Sequence, residues 1–274
     1  MNREEQKQTI KDYLKRLGAG EELESVHVDF VKKFQSVDAA EIMNAEQELI
    51  KEGTPISEVQ RLCDVHSALF HGKTREEQIA NAPKATVDSI REQRFAKTAE
   101  LVKIPGHPLH TFTLENEALA KTIEKCREAL KNGHVEYKLI EEVRQLAIHY
   151  AKKGDLLYPH LKVKYEISGP SDVMWTVDDE IRDEFAALAK KADSQDDEWK
   201  KRFEAALTRA DEMIYKEANI LFPNCAFNFT DEEWFGIYRD SKDYAECFGV
   251  ENGVWEDAEK AQEDRKSTRL NSSH

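Results

Sequence analysis

The sequence predicts an all-α protein: an up-down-up-down four-helix bundle preceded by a small N-terminal helical module. Three observations predict it. The chain of 274 residues holds only 11 Gly and 7 Pro, too few for the frequent turns of a β sandwich. It combines 40% hydrophobic with 34% charged residues, the mixture expected of amphipathic helices with solvated outer faces. Apolar residues recur at steps of three and four through four long segments joined by short breaks, so successive segments are expected to run antiparallel.

Composition also narrows the function. Lys plus Arg number 40 against 54 Asp plus Glu, a net charge of −14 that repels nucleic acid and anionic lipid. No run approaches the roughly 18 apolar residues of a membrane span, and the opening MNREEQKQTIKDYLKRLG lacks the apolar stretch of a signal peptide. The cytoplasm is the expected compartment. Cys63, Cys126, Cys225 and Cys247 are scattered without CxxC spacing, which reads as reduced thiols and not as a disulfide framework or thiolate zinc site.

In chain order, residues 1–71 read as the small module: Ile10, Tyr13, Leu14 and Leu17 form one stripe closed by Gly18 and Gly20, and further helices extend to Gly72. Residues 72–106 read as a connector, a polar loop and then a helical stretch ending at Ile104, Pro105 and Gly106. The bundle occupies 107–245, with helices over about 108–131, 135–158, 171–191 and 197–222. Breaks fall at Asn132-Gly133, Pro159, Gly169-Pro170 and 193–197. Thr230, three residues before Glu233, predicts a capped closing helix to about Tyr244. Residues 246–264 read as the start of a truncated C-terminal region. RKSTRLNSSH, 265–274, resembles translated vector sequence and is set apart, so the natural chain is expected to continue past about Asp264.

An internal repeat carries the chemistry. His149 to Pro159 aligns with Met213 to Pro223 through Lys152/Lys216, Asp155/Asn219, an aliphatic pair, an aromatic and the final Pro. Repeats on alternate helices of a bundle are expected to face a shared interior point. In the second helix the stripe Leu139, Val143, Leu146 leads to His149. In the third, Asp178 sits within Met174, Val177, Ile181, Phe185 and Leu188. In the fourth, Trp199, Phe203, Ala206, Ala210 and Met213 lead to Glu217. Three ionisable groups are thus predicted inside, and a buried charge requires a cation partner, protonation or a metal. With antiparallel neighbours, His149, Asp178 and Glu217 fall at one end, the end that also carries His107 and His110. This N and O ligand set suits iron, manganese or zinc. His110 lies off the inward stripe of Phe112, Asn116, Leu119, Ile123 and Leu130, and His107 at the N-cap is the other candidate.

HPLHTFTLEN, IHYAKKGDLLYPHL, GPSDVMWTVDDEIR and EMIYKEANILFP together resemble the hemerythrin-like HHE cation-binding domain, a four-helix bundle that holds non-haem iron. EQELIKEGTPISEVQRLCDVHSALFHG resembles the domain of unknown function 438 that often precedes it. The two resemblances cover about residues 5–245. They imply His110 or His107 as the first-helix ligand, His149 as the second, Asp178 in place of a third-helix histidine, and Glu217 as the survivor of a His-x-x-x-Glu pair whose histidine position holds Met213. Lys153 stands where a partner of His149 is expected, and a protonated lysine does not ligate. The resemblance implies non-haem iron, mononuclear or dinuclear, and a C-terminal PAS-like sensory domain in the full protein; two interior histidines make haem a lesser alternative.

Two functions follow from the residues, the first leading and the second its alternative. One is a metal-binding bundle, with iron as the expected ion, that binds oxygen or nitric oxide, or senses redox state. The other is a helical interaction or homodimerising scaffold in which Lys153 pairs with Glu217 or Asp178 and no metal is held. An enzyme ranks last, since no nucleophile-base pair, phosphate loop or nucleotide fingerprint is present. His27, His66, His71, His134 and His160 lack convergent partners and read as structural or exposed.

Overall fold

The computed structural model describes residues 3–22, 89–167 and 170–271, together with positions 25, 26, 29, 45, 48, 49 and 51–54. Among the described residues the secondary structure is helical, save an isolated antiparallel bridge between Cys247 and Val250. The chain divides into two compact units, Met1–Arg91 with Ile167–Val177, and Glu92–Glu166 with Asp178–His274.

In the first unit, helix α1 spans Arg3–Gly18 and buries the expected stripe of Ile10, Tyr13, Leu14 and Leu17. Lys11 is also buried, and its ammonium meets Glu48 at 3.5 Å and Glu52 more closely. Gly20 and Gly53 have φ of +91° and +100°, the left-handed region that a residue with a Cβ seldom enters. The helices expected between residues 21 and 71, the loop from 72, and Cys63, His27, His66 and His71 lie outside the described residues or at their margins.

The second unit holds most of the bundle. It opens with α2 (Ser89–Val102), α3 (Pro108–Lys131), α4 (Tyr137–Arg144) and α5 (Leu146–Leu156). They are succeeded by α6 (Trp175–Ala189), α7 (Asp197–Lys216), α8 (Phe222–Asn228), α9 (Asp231–Ser241) and α10 (Glu256–Asn271). Helix α2 starts in the first unit at Ser89, and α6 enters the second at Asp178. α3 packs along α7 and α4, and α9 against α3 and α5.

Apolar spacing explains the packing. Leu109, Phe112, Leu119 and Ile123 of α3, Val143 and Leu146 around the α4–α5 junction, Ile181, Phe185 and Leu188 of α6, and Trp199, Phe203, Ala206, Ala210 and Met213 of α7 are buried. Trp199 stacks on Phe203 with ring centroids 4.7 Å apart and donates its indole N–H to the Leu188 carbonyl at 2.9 Å. In the second predicted helix Ile140 takes the buried place expected of Leu139, which is half-buried, as is Leu130.

The first predicted helix has the expected bounds, whereas the second and fourth are interrupted. The second breaks at Gln145, whose side-chain carbonyl accepts from the Phe248 N–H. The fourth changes at Glu217–Leu221 to a π-helical turn before α8. A π turn adds a residue to the circuit and rotates the next stretch of helix, and such turns gather at functional sites. The closing helix begins as expected, with Thr230 Oγ1 accepting from Glu233 N–H at 3.3 Å and Glu233 Oε2 accepting from Thr230 N–H at 2.8 Å. Helix α10 runs on through residue 265 into the segment set apart for its resemblance to translated vector sequence. Its run of Glu, Ala, Lys and Arg has high helix propensity, and Lys260 lies 3.9 Å from Glu256 at i, i+4.

Candidate metal centre

The interior of the second unit contains a continuous charged cluster. His149 of α5 stands between two carboxylates: Nδ1 is 2.7 Å from Glu115 Oε2, and Nε2 is 2.9 Å from Glu217 Oε2. Asn116 donates to the same Glu217 oxygen at 2.7 Å. The other oxygen of Glu217 receives the Lys153 ammonium, which also lies 2.9 Å from Asp178 Oδ1. Tyr158 donates its hydroxyl to Asp178 Oδ2 at 3.0 Å. At the opposite side of His149, Lys152 donates to Glu115 Oε1. His149, Lys153 and Glu217 have 0% exposure, and Glu115 1%, so these are interior contacts and not a surface network.

Helical geometry brings these groups together. On α3, Glu115 and Asn116 lie three and four residues after Phe112, so both share its buried side. On α5, Lys152 and Lys153 stand three and four residues after His149. Glu217 closes the buried row of α7 at the start of the π turn, and Asp178 succeeds Val177 within the buried row of α6.

The contacts set the titration of the cluster. Burial alone would lower His149, but Glu217 and Glu115 outweigh it and raise the imidazole to about 9. Burial would raise each carboxyl. At Glu217 it is outweighed by Lys153 and His149, which hold the carboxyl at about 2, and at Glu115 by His149 and Lys152. At Asp178 burial prevails and the carboxyl stands at about 6. At neutral pH the His149 ring is therefore an imidazolium between Glu115 and Glu217, and Lys152 and Lys153 lie against the same carboxylates.

Of the five residues expected as ligands, His149, Asp178 and Glu217 meet in this one cluster. His107 and His110 have other partners. His107 caps α3, its Nδ1 accepting from Leu109 N–H at 3.0 Å, and its buried ring lies 4.7 Å from Trp234 and 4.6 Å from Trp255 between centroids. Burial lowers it to about 3, which leaves a neutral ring. His110 Nδ1 is 2.7 Å from the Val102 carbonyl, on a partly exposed ring. His134 and His160 sit beside Glu136 and Glu233 at 3.9 Å and 3.6 Å, near the surface.

Glu115, Asn116, Lys152 and Tyr158 join the site without being expected there. The sequence does carry a signal for Glu115, a step of three from Phe112 and four to Leu119. The signal for Lys152 is its place in the repeat. Both signals are weak, because glutamate and lysine on helices are mostly solvated.

Residues 107–225 match the family model described as the hemerythrin HHE cation binding domain, and residues 10–76 match that of a family of unknown function, DUF438. Residues 107–225 are thus similar to a hemerythrin HHE domain. They lie after the DUF438 region, in the order that the sequence motifs implied. No curated protein and no solved structure matches the chain.

The HHE domain is a cation-binding one, yet its interior here is not arranged for a metal ion. Among the described residues no three His, Cys, Asp or Glu side chains are grouped to hold one. The Lys153 ammonium lies between the facing oxygens of Asp178 and Glu217, and their remaining oxygens are bonded to Tyr158, His149 and Asn116. A divalent ion here would have to displace the Lys153 ammonium from both carboxylates and the proton from the His149 ring. The residues present do not fit a metal as they are arranged. Cys126, Cys225 and Cys247 are free, buried thiols, as their spacing implied.

Proposed function

We propose that the HHE bundle serves in the cytoplasm as a helical interaction and relay module that works without a resident metal, its polar centre joining helices and not performing redox chemistry. The single observation that carries this reading is the closure of the cluster. Each of its charged side chains already has an oppositely charged partner, through contacts that link α3, α5, α6 and the α7 end. A buried network of this kind imposes one relative placement of its helices, because any slip leaves a charge unpaired. No helix of the described residues is long and apolar enough to cross a membrane. The test is metal analysis of the purified full chain with thermal unfolding in chelator and in Fe(II). Metal-free protein with an unchanged midpoint is the expected result. One iron per chain with a raised midpoint would overturn it.

A second reading is favoured by the contact of His149 with Glu217 and the closeness of Asp178 through Lys153: a non-haem iron site that binds oxygen or nitric oxide, or senses redox state. That reading requires Lys153 to withdraw. Absorption spectra of protein mixed anaerobically with Fe(II), before and after nitric oxide, separate the two, since an iron-nitrosyl spectrum is expected only from the second.

A further inference from the structure

The geometry points to Lys153 as the resident cation of this HHE bundle: its tethered ammonium stands where a free metal ion would have to sit, and this one residue sets the domain's indifference to metals. The inference rests on the metal-independent reading and goes beyond it by assigning the exclusion to one side chain.

Three features support the assignment. Lys153 is among the largest fully buried side chains of the described residues, so its charge has no access to water. Its Nζ contacts Asp178 Oδ1 at 2.9 Å and Glu217 Oε1, oxygens from two different helical elements, as a bridging cation would. It also lies over the faces of Tyr150 and Tyr158, at 4.3 Å and 6.0 Å from the ring centroids, so aromatic quadrupoles complete the shell that the carboxylates begin. Lys152, its neighbour, differs: its ammonium is directed to Glu115 and lies 5.6 Å from the Phe112 ring.

The chemical consequence is specific. With the ammonium removed, Asp178 and Glu217 lose the cation that both share, and Glu217 keeps only the ring of His149 as its charged neighbour. Two carboxylates and an imidazole are ligands for a divalent ion of the manganese, iron or zinc kind. The cluster would then need what Lys153 now provides.

The experiment uses the full chain as wild type, as Lys153→Met, which keeps the length without the charge, and as Lys153→Met with Glu217→Gln. Each is titrated with Mn(II), Zn(II) or anaerobic Fe(II), reading bound metal and thermal midpoint. Lys153→Met is expected to be less stable than wild type in chelator, to regain stability with metal, and to bind one ion at least about a hundredfold tighter than wild type. The double variant is expected to lose that binding. Stoichiometric metal in wild type would sink the metal-independent reading. A metal-free wild type with a Lys153→Met variant that is stable in chelator and ignores all three metals would sink the assignment of Lys153 alone. If Lys153→Met folds under no condition, amine-reactive labelling of native wild type decides: Lys153 unreacted after exposed lysines have reacted supports the assignment, and labelling at their rate overturns it.

Discussion

Lys153 Nζ lies 2.9 Å from Asp178 Oδ1, a contact between residues 25 apart in sequence, both with side chains 4% exposed or less. Removing one member of a buried pair costs about 3–5 kcal/mol because the other charge is left without compensation. Asp178→Ala is therefore expected to destabilise the HHE bundle by about that much. Asp178→Asn, which keeps a hydrogen-bonding oxygen for Tyr158, is expected to cost less. Urea denaturation of both variants checks the ordering; equal, small losses would mean that the pair bears no weight.

His149 and Glu217 make stability depend on pH in opposite directions. The folded His149 stands at about 9 against an ordinary 6.5, so its contribution is full below 6.5 and is lost as the pH rises through 9. Glu217 stands at about 2 against 4.5, so its contribution is present above 4.5 and is lost as the pH falls through 2. Asp178, raised to about 6 from 3.8, works against Glu217: its ionisation makes stability fall as the pH rises from 3.8 to 6. The His149 shift corresponds to about 3 kcal/mol, or a loss of about 6–12 °C in thermal midpoint across its window. Midpoints measured from pH 6 to 10 should show that decline, and His149→Gln should flatten it.

Gly106 occupies a place that no larger residue fits. Its φ is +77°, and a Cβ built there would lie 2.3 Å from the backbone carbon of Val254 and 2.4 Å from the Trp255 nitrogen. The obstruction is backbone, so a rotamer change does not relieve it. Gly106→Ala is expected to cost more than about 1 kcal/mol and to loosen the packing of Trp255 against His107, seen as a shift in tryptophan fluorescence. An unchanged spectrum and midpoint would show that the 253–255 segment moves aside freely.

Thr230 makes the smaller, local contribution. Thr230→Ala removes the acceptor for the Glu233 N–H while leaving the helix otherwise intact, and is expected to cost about 1 kcal/mol. Hydrogen exchange should quicken first in the opening turn of α9. Faster exchange throughout the bundle would mean that the cap supports more than its own helix.

Much of the bundle is legible from spacing. The rows ending at His149 and Glu217, and the row containing Asp178, read as buried because a side chain at a step of three or four from a buried neighbour must share its side of the helix. The Thr230 cap is legible for the same local reason: its acceptor and donors are within three residues. Gln145 is not, since the break it marks is held by Phe248, far along the chain.

Order along the chain suffices to place ionisable groups in the bundle interior and to say at which end they gather, since helical periodicity is a property of near neighbours. It does not say what neutralises them. A carboxylate in low dielectric takes whichever cation stands nearest, and that is a matter of distances in ångströms between helices. Lys153, which the pattern offers as a partner of Glu217 or Asp178, is fixed by the packed helices against both, 2.9 Å from Asp178. Glu115, indistinguishable by composition from the many solvated acids of the chain, is held against His149 for the same reason.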